Sequence, residues 1–200
     1  MGTNRIEAFS DGVLAIIITI MVLELKIPEG QGVDALLLVL PTFLSYILSF
    51  VYVGIYWNNH HHLLHTLHKV TGPVLWANLH LLFWLSLVPF ASGWMGANPD
   101  ATVPAALYGV VLLMASIAYN VLQKLIINTE GVSSMLKQAI GNDTKGKISM
   151  LAYMTASALA IIRPWIAQGL YVILALLWLI PDKRIEKMLY STEKDGKSIK

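Results

Sequence analysis

The sequence contains no cysteine and few charged residues. Among its 200 residues, 13% are Asp, Glu, Lys or Arg, whereas soluble domains carry about 25%. The absence of cysteine excludes disulfides and thiolate-metal sites, and the net charge of +2 is too small to indicate a nucleic-acid partner. The remaining composition is 56% hydrophobic, with a mean hydropathy of +0.63. This composition is typical of an integral membrane protein.

Motifs of the common enzyme and channel classes are missing as well. The chain has no Gly-x-Ser-x-Gly, no His-Glu-x-x-His, no phosphate-binding glycine loop and no pair of intramembrane aspartates. It also lacks the Thr-Val-Gly-Tyr-Gly filter, in which backbone carbonyls replace the hydration shell of potassium. We therefore expect neither an enzymatic activity nor a cofactor.

Six apolar stretches are candidates for membrane-spanning helices, because a helix needs about 20 apolar residues to cross the hydrocarbon. They cover residues 6–25, 33–56, 73–94, 103–127, 148–162 and 164–180. The last two are short, and one bent element across Arg163-Pro164 is the alternative. Two helices are favoured, because one straight span cannot bury some thirty apolar residues. The sequence therefore predicts an all-α membrane domain over residues 1–181, followed by a charged tail over residues 182–200.

The basic residues indicate how these helices are oriented, since Lys and Arg concentrate in cytoplasmic connections. Of the fourteen Lys and Arg residues, only Lys26 and Arg163 fall in the odd-numbered connections. This asymmetry predicts that both termini are cytoplasmic and that residues 28–32 and 96–100 face outward. The long connection 128–147 is expected to contain a short amphipathic helix near residues 132–140, and the tail is expected to start as a juxtamembrane helix.

Histidines form the most conspicuous polar cluster, at the end of the second stretch. They are His60, His61, His62, His65 and His68. On a helix, His61, His65 and His68 share a face, and this spacing can hold zinc or iron. Metal-dependent membrane oxidases use several separated histidine clusters, whereas this chain has one. A polar helix end at the membrane interface, with imidazoles that can titrate, is therefore favoured over a metal-dependent enzyme.

Polar residues also stand at the start of the first stretch, where Arg5, Ser10 and Asp11 precede a long apolar run. Ionisable groups at this depth are costly and mark either an ion path or a buried polar network. A buried carboxylate must be paired or hydrogen-bonded, and Arg5, His60 and Asn78 lie at the same expected level as Asp11. A proton relay through Asp11 and a static network are the two alternatives.

The first stretch carries bulky aliphatic residues at helical spacing. Ile16, Ile20 and Leu23 fall on one stripe, with Thr19 beside it, because an α-helix turns about 100° per residue. Asp11 points about 140° away from Ile16, which favours the static network over the relay. Such a stripe usually means lipid contact or helix packing, but it also suits the lining of a pore. Spacing alone leaves both interpretations open.

Taken together, these residues resemble the transmembrane protein 175 family of cation channels. The first helix of that family carries an Arg-x-x-x-Phe-Ser-Asp motif, and this chain has Arg5, Phe9, Ser10 and Asp11 ahead of a threonine-containing apolar helix. Further markers follow in the family's order and spacing. They are Trp57, His60, Asn78, Leu79 and Pro89. These markers are confined to the first half of the chain, and the second half matches in helix count only.

The resemblance implies one six-helix unit that assembles as a homotetramer in a prokaryotic plasma membrane. Its partners would be further copies of the chain, the lipid bilayer, and potassium and other monovalent cations, with potassium modestly preferred over sodium. The first helix would line a central pore. Carried over by position, Ile16 is the constriction, Leu23 is a further ring toward the outside, Ile20 lies beside this face, and Thr19 is a selectivity position.

The resemblance also implies a holding role for the other markers. Arg5, Phe9, Ser10 and Asp11 would fix the first helix, with partners on other helices. Those partners would be His60 and Asn78, and Trp57 would belong to the same structural network. A proton-coupled secondary transporter, with Asp11 and His60 as proton carriers, is the alternative function.

Overall fold

The computed structural model describes residues 2–131, 137 and 143–179, and every regular element in this part of the chain is a helix. Seven helical stretches follow one another. They are α1 (Thr3–Leu23), α2 (Val33–His65), α3 (Gly72–Ser86), α4 (Val88–Ala97), α5 (Thr102–Glu130), α6 (Thr144–Ala160) and α7 (Pro164–Leu179). The amphipathic helix predicted near residues 132–140 lies, apart from residue 137, outside the described residues, as does the charged tail predicted over 182–200.

The third predicted stretch is divided into α3 and α4. The two helices meet at Leu87, two residues before Pro89, and proline has no N–H for the carbonyl one turn earlier. They still form one continuous apolar span, from Gly72 to Ala97. Counted in this way, the described chain has six helices, which confirms the predicted number. The alternative of a single bent element is wrong, because α6 and α7 are separate helices on either side of residues 161–163.

Four of these helices are long and apolar enough to cross a membrane. They are α1, α2, the α3–α4 span and α5. By comparison, α6 has 17 residues and α7 has 16 described residues. At 1.5 Å per residue they measure about 26 and 24 Å, slightly less than the roughly 30 Å of the hydrocarbon. The chain is thus a multi-pass membrane protein with two shorter helices at the end of its described part.

The second helix is nine residues longer than the sequence predicted. The apolar run ends at Tyr56, but α2 continues to His65. Apolar residues mark only the part of a helix that lies in hydrocarbon, whereas its backbone hydrogen bonds continue through polar residues of moderate helix propensity. Thr66 ends the helix as its C-cap, so His68 lies beyond it.

The centre of the molecule is α5, which packs against α3, α4, α6 and α7. Small residues on its buried faces, such as Ala105, Gly109 and Ala115, let neighbouring helices approach closely. Gly109 is the tightest of these positions. A Cβ atom there would overlap the Tyr171 hydroxyl and the Ser157 side chain.

Tyrosine hydroxyls join the helices in this core. The Tyr52 hydroxyl donates to the carbonyl oxygen of Tyr171 at 2.6 Å, and the Tyr171 hydroxyl donates to that of Ala105 at 3.0 Å. The Tyr108 and Ser49 hydroxyl oxygens are also 3.0 Å apart. Polar groups at this depth have no water to bind, so internal hydrogen bonds of this kind are required. They connect α2, α5 and α7, while α1 lies at the edge of the bundle.

Candidate functional site

The first helix has one covered face, because it packs against α2, α3 and α4 on one side only. The covered side chains are at most 3% exposed, and they are Ile6, Ser10, Leu14, Ile17 and Met21. They recur every three or four residues, which places them on one side of the helix. A single hydroxyl, that of Ser10, therefore enters an otherwise apolar contact surface.

The opposite face of α1 is uncovered in the single chain, and the pore-lining candidates lie on it. The exposed fractions are 60% for Ile16, 42% for Ile20 and 76% for Leu23. Thr19 is exposed between them, and its hydroxyl donates to the carbonyl oxygen of Ala15 at 2.8 Å. A row of bulky aliphatic side chains with one hydroxyl oxygen thus points away from the chain's own core.

A buried polar chain ties α1 to its two neighbours. The Asn78 amide nitrogen donates to Ser10 Oγ at 2.9 Å, and the Asn78 amide oxygen lies 2.7 Å from His60 Nε2. The Ser10 hydroxyl in turn donates to the carbonyl oxygen of Ile6 at 2.8 Å. Because an amide oxygen can only accept, His60 Nε2 carries the hydrogen of this bond. Each of the three polar side chains is at most 2% exposed.

Asp11 has a partner other than those expected from the sequence. Trp57 Nε1 donates to Asp11 Oδ1 at 3.0 Å. In the described part of the chain, no hydrogen bond joins Asp11 to Arg5, His60 or Asn78. Asp11 is half-buried beside the network rather than inside it. Sequence reasoning identified Trp57 as a marker but missed this pairing, because it depends on how α1 and α2 lie against each other.

The other two motif residues, Arg5 and Phe9, lie on the uncovered side of α1. Phe9 is 54% exposed, and Arg5 is exposed with no hydrogen-bond or ion-pair partner for its guanidinium within the described ranges. Contacts among the described residues therefore do not give Arg5 the holding role that the resemblance implies. Both side chains are available to a neighbouring chain or to lipid.

His61 and His68, two other histidines of the cluster, lie in different environments. His61 Nδ1 lies 2.8 Å from Glu7 Oε1 on α1, and the rings of His61 and His65 are 4.5 Å apart. His68 Nδ1 instead lies 2.7 Å from Glu130 Oε2. The prediction that His61, His65 and His68 share one helix face is thus wrong for His68. The helix α2 ends at His65, and His68 lies beyond it, beside the end of α5.

An open cavity of about 1000 Å³ lies between the C-terminal end of α1, the first half of α2, and α4. Its lining is mainly apolar and includes Leu23, Phe43, Phe90 and Trp94, with Glu24 as a charged member. The far end of α1 is therefore loosely packed against its own chain, in contrast to the end that carries Ser10.

Known proteins resemble this chain along most of its length. Residues 5–89 match the family model described as the endosomal/lysosomal potassium channel TMEM175. A potassium channel from Chryseobacterium sp. (strain P1-3) is 58% identical over 189 residues, which cover 94% of this chain and 98% of that protein. A potassium channel from Chamaesiphon minutus (strain ATCC 27169 / PCC 6605) is 31% identical over 186 residues, covering 87% and 92%.

A solved structure shares the fold. It is the crystal structure of a lysosomal potassium-selective channel TMEM175 homologue from Chamaesiphon minutus, with a TM-score of 0.77 and 29% identity. The match covers 90% of this chain and 97% of that one. The similarity therefore extends into the second half of the chain, where the sequence offered no specific markers.

Proposed function

The chain belongs to the TMEM175 family, a family of ion channels rather than enzymes, and on this premise we propose that it is a potassium channel. In this proposal four copies assemble in a prokaryotic plasma membrane, and α1 of each copy lines a central pore. The channel prefers potassium modestly over sodium. The observation that carries the proposal is the uncovered face of α1, where Ile16, Thr19, Ile20 and Leu23 point away from the chain's own core.

Ile16 is the proposed constriction. Four isoleucine side chains around one axis form a hydrophobic ring, and such a ring closes a pore by excluding water. A small rotation or outward movement of α1 would widen the ring and let a cation pass. No carbonyl filter is needed, because the ring controls passage through its diameter and its hydration.

Thr19 is the proposed selectivity position. It lies three residues beyond Ile16, about 4.5 Å along the helix axis. Because its hydroxyl hydrogen is donated to Ala15, the lone pairs of the oxygen remain free for a cation. A cation that gives up part of its hydration shell at Ile16 can recover ligands here. Potassium holds its shell less strongly than sodium, so its barrier is lower.

The preference for cations requires negative potential, and the row from Ile16 to Leu23 has no charge. The acidic residues nearest to the proposed outer mouth are Glu24, Glu29 and Asp34, all exposed in the single chain. Carboxylates around a pore entrance raise the local concentration of cations. We assign the cation preference to these three residues.

The proposal requires several chains, since one row of side chains cannot enclose a hole. The uncovered face of α1 and the open cavity beside Leu23 support such an assembly, because both leave apolar surface for a second copy to cover. Native mass measurement in mild detergent is expected to give four times the mass of one chain. A monomer under conditions that retain potassium flux would contradict the assembly.

The experiment that tests the pore is potassium and sodium flux into liposomes with Ile16→Asn. A polar ring would hold water, so we expect a several-fold higher leak or a lower potassium-to-sodium ratio. Ile173→Asn is the matched control, because Ile173 on α7 is 61% exposed against 60% for Ile16. Equal effects of the two substitutions, or the absence of potassium flux in the unsubstituted protein, would refute the pore assignment.

The alternative of a proton-coupled transporter has less support in the structure. Asp11 and His60 bind different partners, Trp57 and Asn78, and no described hydrogen bond connects the two proposed carriers. Potassium flux that persists without a pH gradient and does not saturate would distinguish the channel from the transporter.

A further inference from the structure

We propose that Glu7, His61 and His65 form a binding site for a divalent transition metal of the zinc type, which joins α1 to α2. Each residue offers one ligand atom, and the three atoms lie within 4.8 Å of one another. Glu7 comes from the first turns of α1, and the two histidines come from the last turns of α2. The site is separate from the proposed pore face.

The two histidines are arranged for chelation by one helix. They are four residues apart, so both imidazoles project from the same side of α2. Their ring centroids are 4.5 Å apart, with an angle of 74° between the ring planes. Pairs of histidines at this spacing bind zinc in helical metalloprotease motifs. The pair therefore supplies two nitrogen ligands without any change in the backbone.

Glu7 supplies an oxygen ligand from the neighbouring helix. Its Oε1 already lies 2.8 Å from His61 Nδ1. Zinc holds nitrogen and oxygen ligands at about 2.0–2.2 Å, so two ligands of a tetrahedral ion are about 3.3–3.6 Å apart. The three ligand atoms lie within 4.8 Å of one another, a limit about 1.2–1.5 Å wider than this tetrahedral separation. Metal binding therefore requires the exposed His65 side chain to rotate toward the other two ligands.

The ligand types favour zinc over the alkaline-earth ions. Two imidazoles and one carboxylate suit zinc and related transition metals, whereas magnesium and calcium prefer oxygen ligands. Three protein ligands leave the fourth tetrahedral position to water. A surface ion pair between Glu7 and His61 would be the simpler interpretation, but it gives no role to His65. Metal binding would therefore depend on His65, whereas an ion pair between Glu7 and His61 would not.

A metal at this site would restrain the first helix, and this consequence rests on the proposed function. Glu7 lies nine residues before Ile16 on the same continuous helix. Rotation of α1 to widen the Ile16 ring would move Glu7 away from the histidines of α2. Zinc would therefore stabilise the present position of α1 and lower potassium flux.

Equilibrium dialysis of the purified full chain against zinc chloride, with excess magnesium present, tests the site directly. We expect one zinc ion per chain, and at least a tenfold weaker affinity in Glu7→Gln and in His65→Gln. His68→Gln is the matched control, because His68 is also an exposed histidine beside a glutamate but lies outside the site. No zinc binding, or equal affinity in the His65→Gln and His68→Gln variants, would overturn the proposal.

Potassium flux with zinc on both sides of the liposome tests the restraint separately. Zinc is expected to lower flux several-fold in the unsubstituted protein and to have little effect on His65→Gln. Equal inhibition of both proteins would refute the restraint on α1. If neither protein conducts potassium, the proposed function fails, while the dialysis measurement still decides whether the metal site exists.

Discussion

At the scale of single residues, Asn78 determines how α1 is held. Its amide nitrogen donates to Ser10 on α1, and its amide oxygen accepts from His60 on α2. No other described side chain bridges these two groups. Since all three are buried, loss of the amide would leave the N–H of His60 Nε2 without an acceptor and without access to water, whereas the Ser10 hydroxyl would keep only its bond to the carbonyl oxygen of Ile6. Each buried unsatisfied group costs about 1–3 kcal/mol.

Asn78→Ala is therefore expected to destabilise the protein by roughly 2 kcal/mol or more. The measurement is the unfolding midpoint in detergent, followed by size-exclusion chromatography after heating. Asn98→Ala is the control, because Asn98 is exposed and its amide donates to a carbonyl oxygen of its own helix. Similar midpoints for the two variants would show that the buried bridge contributes nothing.

Thr19 allows a residue-scale test of selectivity. Thr19→Val keeps the shape of the side chain and removes its oxygen, so we expect a several-fold lower potassium-to-sodium flux ratio with unchanged assembly. Thr155→Val on α6 is the control, since Thr155 is also exposed and its hydroxyl makes the same bond to the carbonyl oxygen four residues earlier. An unchanged flux ratio in Thr19→Val would show that the Thr19 hydroxyl does not contribute to selectivity.

At the scale of helices, α6 and α7 approach α5 closely at one glycine. This approach depends on the missing side chain of Gly109, because any Cβ there would meet Tyr171 and Ser157. Tyr171 has little room to yield, since its hydroxyl also donates to Ala105 at 3.0 Å. The small residue is therefore required by the approach of two other helices rather than by the conformation of α5.

Gly109→Ala is expected to destabilise the bundle by about 1–3 kcal/mol, the usual range for an overpacked core. Gly54→Ala in α2 is the control, because a Cβ there has no atom within 4 Å. Alanine has a higher helix propensity than glycine, by about 0.8–1 kcal/mol, so this variant is expected to be neutral or more stable. Thermal unfolding of both variants measures the change in stability. A similar loss of stability in both would contradict the close packing at Gly109.

At the scale of the whole molecule, the helix connections form two sets at opposite ends of the bundle. Gln168 donates to the carbonyl oxygen of Pro99 at 2.7 Å, which brings the start of α7 beside the α4–α5 connection. At the other end, Glu130 accepts a hydrogen bond from the backbone N–H of His68 at 2.8 Å, linking the α2–α3 connection to α5. Lys69 lies in this second set, which predicts that it is the cytoplasmic side.

The absence of cysteine allows a direct test of this orientation, since the unsubstituted chain has no thiol to label. Single cysteines can be introduced at Asp100 and Lys69, which are both exposed residues in short connections. A membrane-impermeant maleimide applied to intact cells is expected to label Asp100→Cys. It is expected to label Lys69→Cys only after permeabilisation. The opposite pattern would invert the topology.

Much of the fold was predictable from local properties of the sequence. Six apolar stretches, their approximate ends and the Arg5–Asp11 motif are all matters of composition and spacing, which need no knowledge of neighbours in space. The stripe of Ile16, Ile20 and Leu23 follows from helical periodicity alone. The end of α2 was misplaced because the last turns of that helix are polar, and polarity does not end a helix.

The sequence by itself determined which residues share a side of each helix and which stretches are apolar enough for lipid. Only the tertiary structure decided which side of α1 is covered, that Asp11 binds Trp57, and that Glu7 rather than His68 lies beside His61. The physical reason is that these contacts join residues far apart in the chain. They depend on the distance and angle between helices and on where each helix ends, and helical periodicity contains none of these quantities.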